Sequence, residues 1–155
     1  MRISRSVHIL LVEDNPNDTL RIIRALGTEC SRNFHAVEDG TEALAYLRQE
    51  GIYWRAPQPD IVLIDLDLVR RDSRQVLAAI RADGRLRAIP VVILMPANSQ
   101  HDSLRRYARY VSALIPKSFT LEQFTQMLQG VVSSAPADTR HLPQEPPDVC
   151  AQSRN

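Results

Sequence analysis

Residues 61–69, Ile-Val-Leu-Ile-Asp-Leu-Asp-Leu-Val, decide how this chain folds. An unbroken apolar run, rich in β-branched residues and stopped by a carboxylate, fits a strand covered on both faces; a half-exposed strand would alternate polar and apolar positions. The same pattern recurs in both directions. Upstream, His8-Ile-Leu-Leu-Val12 is halted by Glu13 and Asp14, and a shorter strand is predicted near Phe34 to Val37. Downstream come Pro90-Val-Val-Ile-Leu94 and a short run from Ala113 to Ile115.

Helical signals fill the gaps. Asn15 and Pro16 combine an N-cap side chain with a proline at the first helical position. Leu20, Ile23 and Leu26 are expected to carry that helix's buried stripe, and Gly27 to stop it. Asp39-Gly40 turns into a helix with Ala43, Leu44 and Leu47 inward. A third helix, from about Ser73 to Ala82, presents Val76, Leu77 and Ile80, and a fourth runs from about Ser99 to Tyr110. Thr120-Leu-Glu-Gln123 fits a capping box, in which the residues at each end of the first turn cap one another's backbone. The helix it opens has Phe124, Leu128 and Val131 on its inner side.

Five strands alternating with five helices predict an α/β fold with a parallel sheet. At this size the expected form is a flavodoxin-like, doubly wound, five-stranded sheet of order 2-1-3-4-5, with helices on both faces. Residues 1–133 are assigned to this domain. Beyond it, Pro136, Pro143, Pro146 and Pro147 interrupt a polar segment that cannot bury enough apolar surface to fold alone. Residues 134–155 are therefore expected to form a proline-rich, disordered or arm-like tail.

Bulk properties narrow the function. A chain of 155 residues, 44% hydrophobic, suits one well-packed domain. Its formal net charge of +1 gives no reason to expect nucleic acid or a membrane surface as partner. No run approaches the roughly 18 apolar residues of a transmembrane helix. The first apolar run is short, ends in acids and lacks a small-residue cleavage site, so it reads as a strand rather than a secretion signal. Cys30 and Cys150 are too far apart in sequence to suggest a metal motif or structural disulfide, and a cytoplasmic location is expected.

In this strand order, strands 1 and 3 are neighbours, and ligands bind beyond their carboxyl ends. Glu13 and Asp14 leave strand 1 there, Asp65 ends strand 3, and Asp67 follows two residues later. Crowded carboxylates repel unless a cation sits among them. With no His or Cys at ligand spacing, an all-oxygen site predicts Mg²⁺ or a similar hard cation. A carboxylate beside such an ion is suited to attack phosphorus and form an aspartyl phosphate. Lys117, the single lysine among 19 basic residues, lies just past strand 5 and supplies a compact positive charge for a phosphoryl oxygen. Each feature alone also fits a solvated strand end. Their joint order on one fold favours the functional reading.

At these residues the sequence resembles a family. The runs VHILLVEDNPND, PDIVLIDLDLVRRDSRQVL, IPVVIL and IPKSFTLEQF are similar to those of response-regulator receiver domains, over about Val7 to Val132. The resemblance implies that Glu13 and Asp14 bind Mg²⁺, Asp65 is the phosphoacceptor, Asp67 offers its backbone carbonyl to the metal, and Lys117 contacts the phosphoryl group. It implies a signalling protein rather than an enzyme, one that takes part in its own Mg²⁺-dependent phosphorylation by a sensor histidine kinase. The connection Gly51–Asp60 and the segment IRADGRLRAIP are similar to small stand-alone receivers paired with phytochrome-type kinases. With no effector domain legible after the receiver, output is expected through protein contacts or self-association. Receivers often dimerise through the face of the fourth helix, fifth strand and fifth helix. Here that face would include Tyr107, Tyr110 and part of Phe119–Leu128, unless those aromatics are core.

Three positions depart from the family pattern. Met95 stands where receivers usually carry Thr or Ser, and a thioether has no proton to donate. Leu114 replaces a switchable aromatic, and Ser118 replaces a proline after the lysine. The Lys117–Ser118 bond is expected to be trans, because cis before a non-proline costs about 2.5–4 kcal/mol. The departures leave a rival reading: a pseudo-receiver, binding partners without phosphorylation. A second rival is a haloacid-dehalogenase-like phosphatase, since Asp65-Leu-Asp-Leu-Val69 matches the D-x-D-x-[TV] motif; the downstream acidic pair of those enzymes is missing. The five glycines form no phosphate-binding loop, no G-x-S-x-G elbow is present, and the four histidines are scattered.

Overall fold

A computed structural model describes residues 7–31, 33–69, 74–96, 107 and 109–133. The tail 134–155 and most of the expected fourth helix lie outside these residues. Five strands form one sheet: β1 (Ile9–Val12), β2 (Phe34–Val37), β3 (Ile61–Asp65), β4 (Val91–Met95) and β5 (Ala113–Pro116). Their order is β2-β1-β3-β4-β5 and every pairing is parallel, as expected. The β1–β3 register sets Val12 beside Ile64, so Glu13 and Asp65 emerge at the same edge.

Successive residues on a strand point to opposite faces, and each apolar run therefore feeds two cores. Ile9, Leu11, Ile61, Leu63, Val92 and Leu94 pack with Ile22 and Leu26 of α1 (Pro16–Ser31) and Phe124 and Leu128 of α4 (Leu121–Ser133). Leu10, Val12, Val62, Ile64 and Ile93 pack with Ala43 and Leu47 of α2 (Gly40–Arg48) and Val76, Leu77 and Ile80 of α3 (Arg74–Ala82). Fully burying each aliphatic side chain contributes about 1.5–3 kcal/mol, so this two-sided sheet is where the fold's stability is concentrated.

Local chemistry sets the helix ends. Asn15 Oδ1 accepts from the backbone N–H of Asn17 (2.8 Å) and Asp18 (3.3 Å), capping α1. Gly27 breaks α1 with φ 77° and ψ 174°, after which helix resumes to Ser31. The positive φ is what favours glycine here, since a Cβ would meet Leu121 of α4 at 3.4 Å, an ordinary contact. The capping box is present: Gln123 Oε1 accepts from Thr120 N–H (3.0 Å), and Thr120 Oγ1 accepts from Gln123 N–H (3.1 Å). The stripe expected on α1 is out of phase, since Leu20 is 50% exposed while Ile22 is buried beside Leu26.

The long α2–β3 connection is pinned at both ends and open in the middle. Tyr53 packs edge-on against His35 and Tyr46 and donates its hydroxyl to Glu42. Asp60 exchanges contacts with His8 through backbone and side chain. On either side of Tyr53, Ile52 and Trp54 face solvent, with the Arg55 guanidinium over the indole.

Candidate functional site

The ladder itself assembles the site. β1 ends in Glu13 and β3 in Asp65, and both acids are buried, at 3% and 2% exposure. One carboxylate oxygen from each of Glu13, Asp14 and Asp65 lies within 4.8 Å of the other two. Lys117 follows β5 directly, and its N–H donates to the Met95 carbonyl (2.8 Å), continuing the β4–β5 pairing and aiming the side chain across the strand tips. The ammonium lies 2.8 Å from Asp65 Oδ1, 3.1 Å from Glu13 Oε1 and 2.7 Å from Asp18 Oδ2.

These contacts differ in kind. At Asp18 the ammonium makes a well-aligned hydrogen bond. At Glu13 Oε1 and Asp65 Oδ1 it is an ion-pair neighbour, and neither buried oxygen receives a hydrogen bond among the described residues. Burial is the main reason that the Asp65 carboxyl titrates above the ordinary carboxylate range, with the Asp67 charge adding; Lys117 and the Leu68 N–H oppose it. Glu13 is also raised, first by burial and then by the Asp65 charge, against Lys117 and the Asn15 N–H, which donates to its Oε2 at 3.1 Å. Burial alone would lower Lys117. The hydrogen bond to Asp18 and the charges of Asp65 and Glu13 instead push it above the usual lysine range.

The arrangement thus holds three converging carboxylates, two buried and costly to charge, and among the described residues Glu13 Oε1 and Asp65 Oδ1 receive no hydrogen bond. One ammonium cannot balance them. A hard divalent cation, whose ligands are oxygens, fits this donor set.

Of the residues singled out from sequence, Glu13, Asp14, Asp65 and Lys117 come together. The Asp67 side chain does not join the trio: it is exposed on the single helical turn Leu66–Leu68. Met95 is half-buried at the end of β4, opposite Pro116. Leu114 is half-buried against the α2–α3 side of the core. Ser118 is exposed and, as expected, no peptide bond among the described residues is cis. Tyr107, Phe119 and Phe124 are buried, so they belong to the core and not to an open face.

Asp18 was missed. A signal existed, because an N-cap at Asn15 places residue 18 in the first turn of α1, directly above the strand tips. An acid in a first helical turn has an ordinary explanation in the helix dipole, which hides any second role.

Residues 9–129 match the response regulator receiver domain family. The chain belongs to that family. Receiver membership makes it a response-regulator signalling protein. In sequence it is 36% identical over 126 residues to the response regulator Rcp1 of Synechocystis sp., covering 81% of this chain and 86% of that protein. In structure the receiver is similar to the phosphorylated cyanobacterial phytochrome response regulator RcpA. The TM-score is 0.64 at 40% identity, over 90% of this chain and 100% of that one. It is also similar to the Mn²⁺-bound form of Rcp1, with a TM-score of 0.59 at 35% identity, over 82% and 92% of the two chains. No helix among the described residues is long and apolar enough to cross a membrane.

Proposed function

We propose that this receiver takes a phosphoryl group onto Asp65 from a sensor histidine kinase, of the phytochrome type that its relatives' names indicate. The observation that carries the reading is the meeting of Glu13, Asp14 and Asp65 within 4.8 Å, with Lys117 2.8 Å from Asp65. Glu13, Asp14 and Asp65, with the backbone carbonyl of Asp67, would hold Mg²⁺. Bound there, the ion would supply positive charge for the phosphoryl oxygens as they approach. An Asp65 carboxylate oxygen attacks phosphorus as the bond to the donor histidine breaks, and the Lys117 ammonium pairs with a phosphoryl oxygen. A homodimer and a cytoplasmic setting belong to the same reading, supported by the family resemblance.

The raised carboxyls set a pH dependence. A folded-state carboxyl pKa above the unfolded value means that the native protein holds a proton the unfolded chain has lost. The stability from Glu13 and Asp65 is therefore fully present below their unfolded values, near 4.5 and 3.8, and lost as pH rises through the raised folded values. Mg²⁺ should restore it. The Mg²⁺-induced rise in Tm is expected to be largest near about pH 7.5 and to shrink toward about pH 5, as protons compete for the same oxygens. A Tm indifferent to Mg²⁺ at the higher pH would contradict the metal site.

Output should be unusual, because Met95 has no hydroxyl to draw toward a phosphoryl group and Leu114 is not a swinging aromatic. Beryllofluoride with Mg²⁺, which mimics the phosphoryl group, is expected to shift amide resonances around Glu13–Asp18, Asp65–Val69 and Lys117. Met95 and Leu114 should move little. A large rearrangement at those two positions would show a conventional relay. Met95 also favours a second reading, a phosphorylation-independent binding module; partner binding unaffected by Asp65→Asn would support it.

A further inference from the structure

We propose that Asp18 is a positioning residue, an alternative anchor that lets the Lys117 ammonium withdraw from Glu13 and Asp65 when a divalent cation binds. The inference rests on the metal reading above and concerns a residue that reading does not use.

The ammonium touches three carboxylates, and they are not equivalent. Glu13 and Asp65 belong to the converging trio, whereas Asp18 stands outside it on the first turn of α1. The Asp18 side chain is 20% exposed, against 1% and 3% for those of Glu13 and Asp65. The hydrogen bond of the ammonium goes to Asp18 Oδ2, and the two buried oxygens receive none. Lys117 is therefore already tethered at the rim while leaning on the buried pair.

Now place a dication among the same oxygens, at the roughly 2.1 Å that Mg²⁺ requires. The ammonium, 3.1 Å from Glu13 Oε1 and 2.8 Å from Asp65 Oδ1, would then face a second cation held by the same carboxylates, and the two would repel one another. One must give way. Lys117 can do so without losing a charged partner, because Asp18 is in contact and lies outside the trio. Capped by Asn15, the turn that carries Asp18 is held in place. Without the Asp18 carboxylate, the ammonium would have only the buried oxygens to pair with among its present contacts, and would compete with the metal for them.

The test is a double-mutant cycle on the full chain, read as Mg²⁺ affinity by titration calorimetry with magnesium chloride. Asp18→Asn, nearly isosteric, is expected to weaken Mg²⁺ binding by about fivefold to tenfold, within the range of coupling between residues in contact. Lys117→Gln should bind Mg²⁺ at least as tightly as the parent chain. In the Lys117→Gln background, adding Asp18→Asn should change affinity by less than about twofold. Equal weakening in both backgrounds would make Asp18 a remote negative charge and overturn the proposal, as would unchanged affinity in the single variant. A parent chain that binds no Mg²⁺ would overturn the metal reading and this inference with it. Normal parent binding with a failed cycle would overturn only the inference.

Discussion

Asp65→Asn is expected to slow Mg²⁺-dependent labelling by acetyl phosphate at least about 1000-fold, the scale on which loss of an attacking nucleophile is felt. An amide of the same shape keeps the packing at the end of β3 but has no carboxylate oxygen to form the acyl phosphate. The same variant carries its own folding control. Burial, the largest influence on Asp65, penalises the ionised form, so a neutral side chain relieves the metal-free protein of a cost of about 1.4 kcal/mol for each tenfold shift of its proton affinity. In EDTA the Tm of Asp65→Asn should equal or exceed that of the parent, by roughly 2–4 °C for each kcal/mol relieved. Loss of labelling in a protein that melts higher cannot be blamed on unfolding. Labelling that persists in Asp65→Asn would place the acceptor elsewhere.

Lys117→Gln should separate metal binding from chemistry. The ammonium sits 2.8 Å from Asp65 Oδ1 and is the cation that reaches the attacking group. Removing one preorganised partner of a developing oxyanion typically costs about 100-fold to 1000-fold in rate. The metal carboxylates remain, and they lose a competitor for their charge, so Mg²⁺ affinity should hold or rise while phosphotransfer falls. Calorimetry reads the Mg²⁺ affinity, and single-turnover labelling at saturating Mg²⁺ reads the phosphotransfer. A variant with normal rates, or one that fails through loss of Mg²⁺, would assign Lys117 a different role.

Much of the fold was legible because each strand is a short apolar run cut off by acids, prolines or turn residues. A parallel sheet buried on both faces writes itself that way, and β1, β3 and β4 lie within a residue of where the runs placed them. The capping box before α4 was equally plain, since reciprocal side-chain bonds require a fixed spacing. Strand order brought Glu13, Asp14 and Asp65 to one edge but set Asp67 with them, and the structure leaves the Asp67 side chain outside the trio.

The rest needed tertiary information. In α1 the run Leu20-Arg-Ile-Ile-Arg-Ala-Leu26 supports more than one apolar phase. Which phase faces the sheet depends on the angle at which the chain leaves Asn15 and Pro16, and the outcome buries Ile22 and exposes Leu20. Tyr107 and Phe119 could as well have been surface anchors as core, because sequence alone does not say how much room the helices leave. Asp18 was passed over because its partner is 99 residues away and its local setting already explained it. The α2–β3 connection suggested a family subgroup but gave no warning that Tyr53 would turn inward while Ile52 and Trp54 remained outside.

The most direct test is to incubate the purified chain with acetyl phosphate, with Mg²⁺ or with EDTA, trap the acyl phosphate by borohydride reduction, and locate the modified residue by peptide mass mapping. Modification confined to Asp65 and present only with Mg²⁺ is the predicted result. No modification, modification at another residue, or equal modification in EDTA would contradict the claim that strand-tip carboxylates gather a divalent ion around a phosphoryl acceptor.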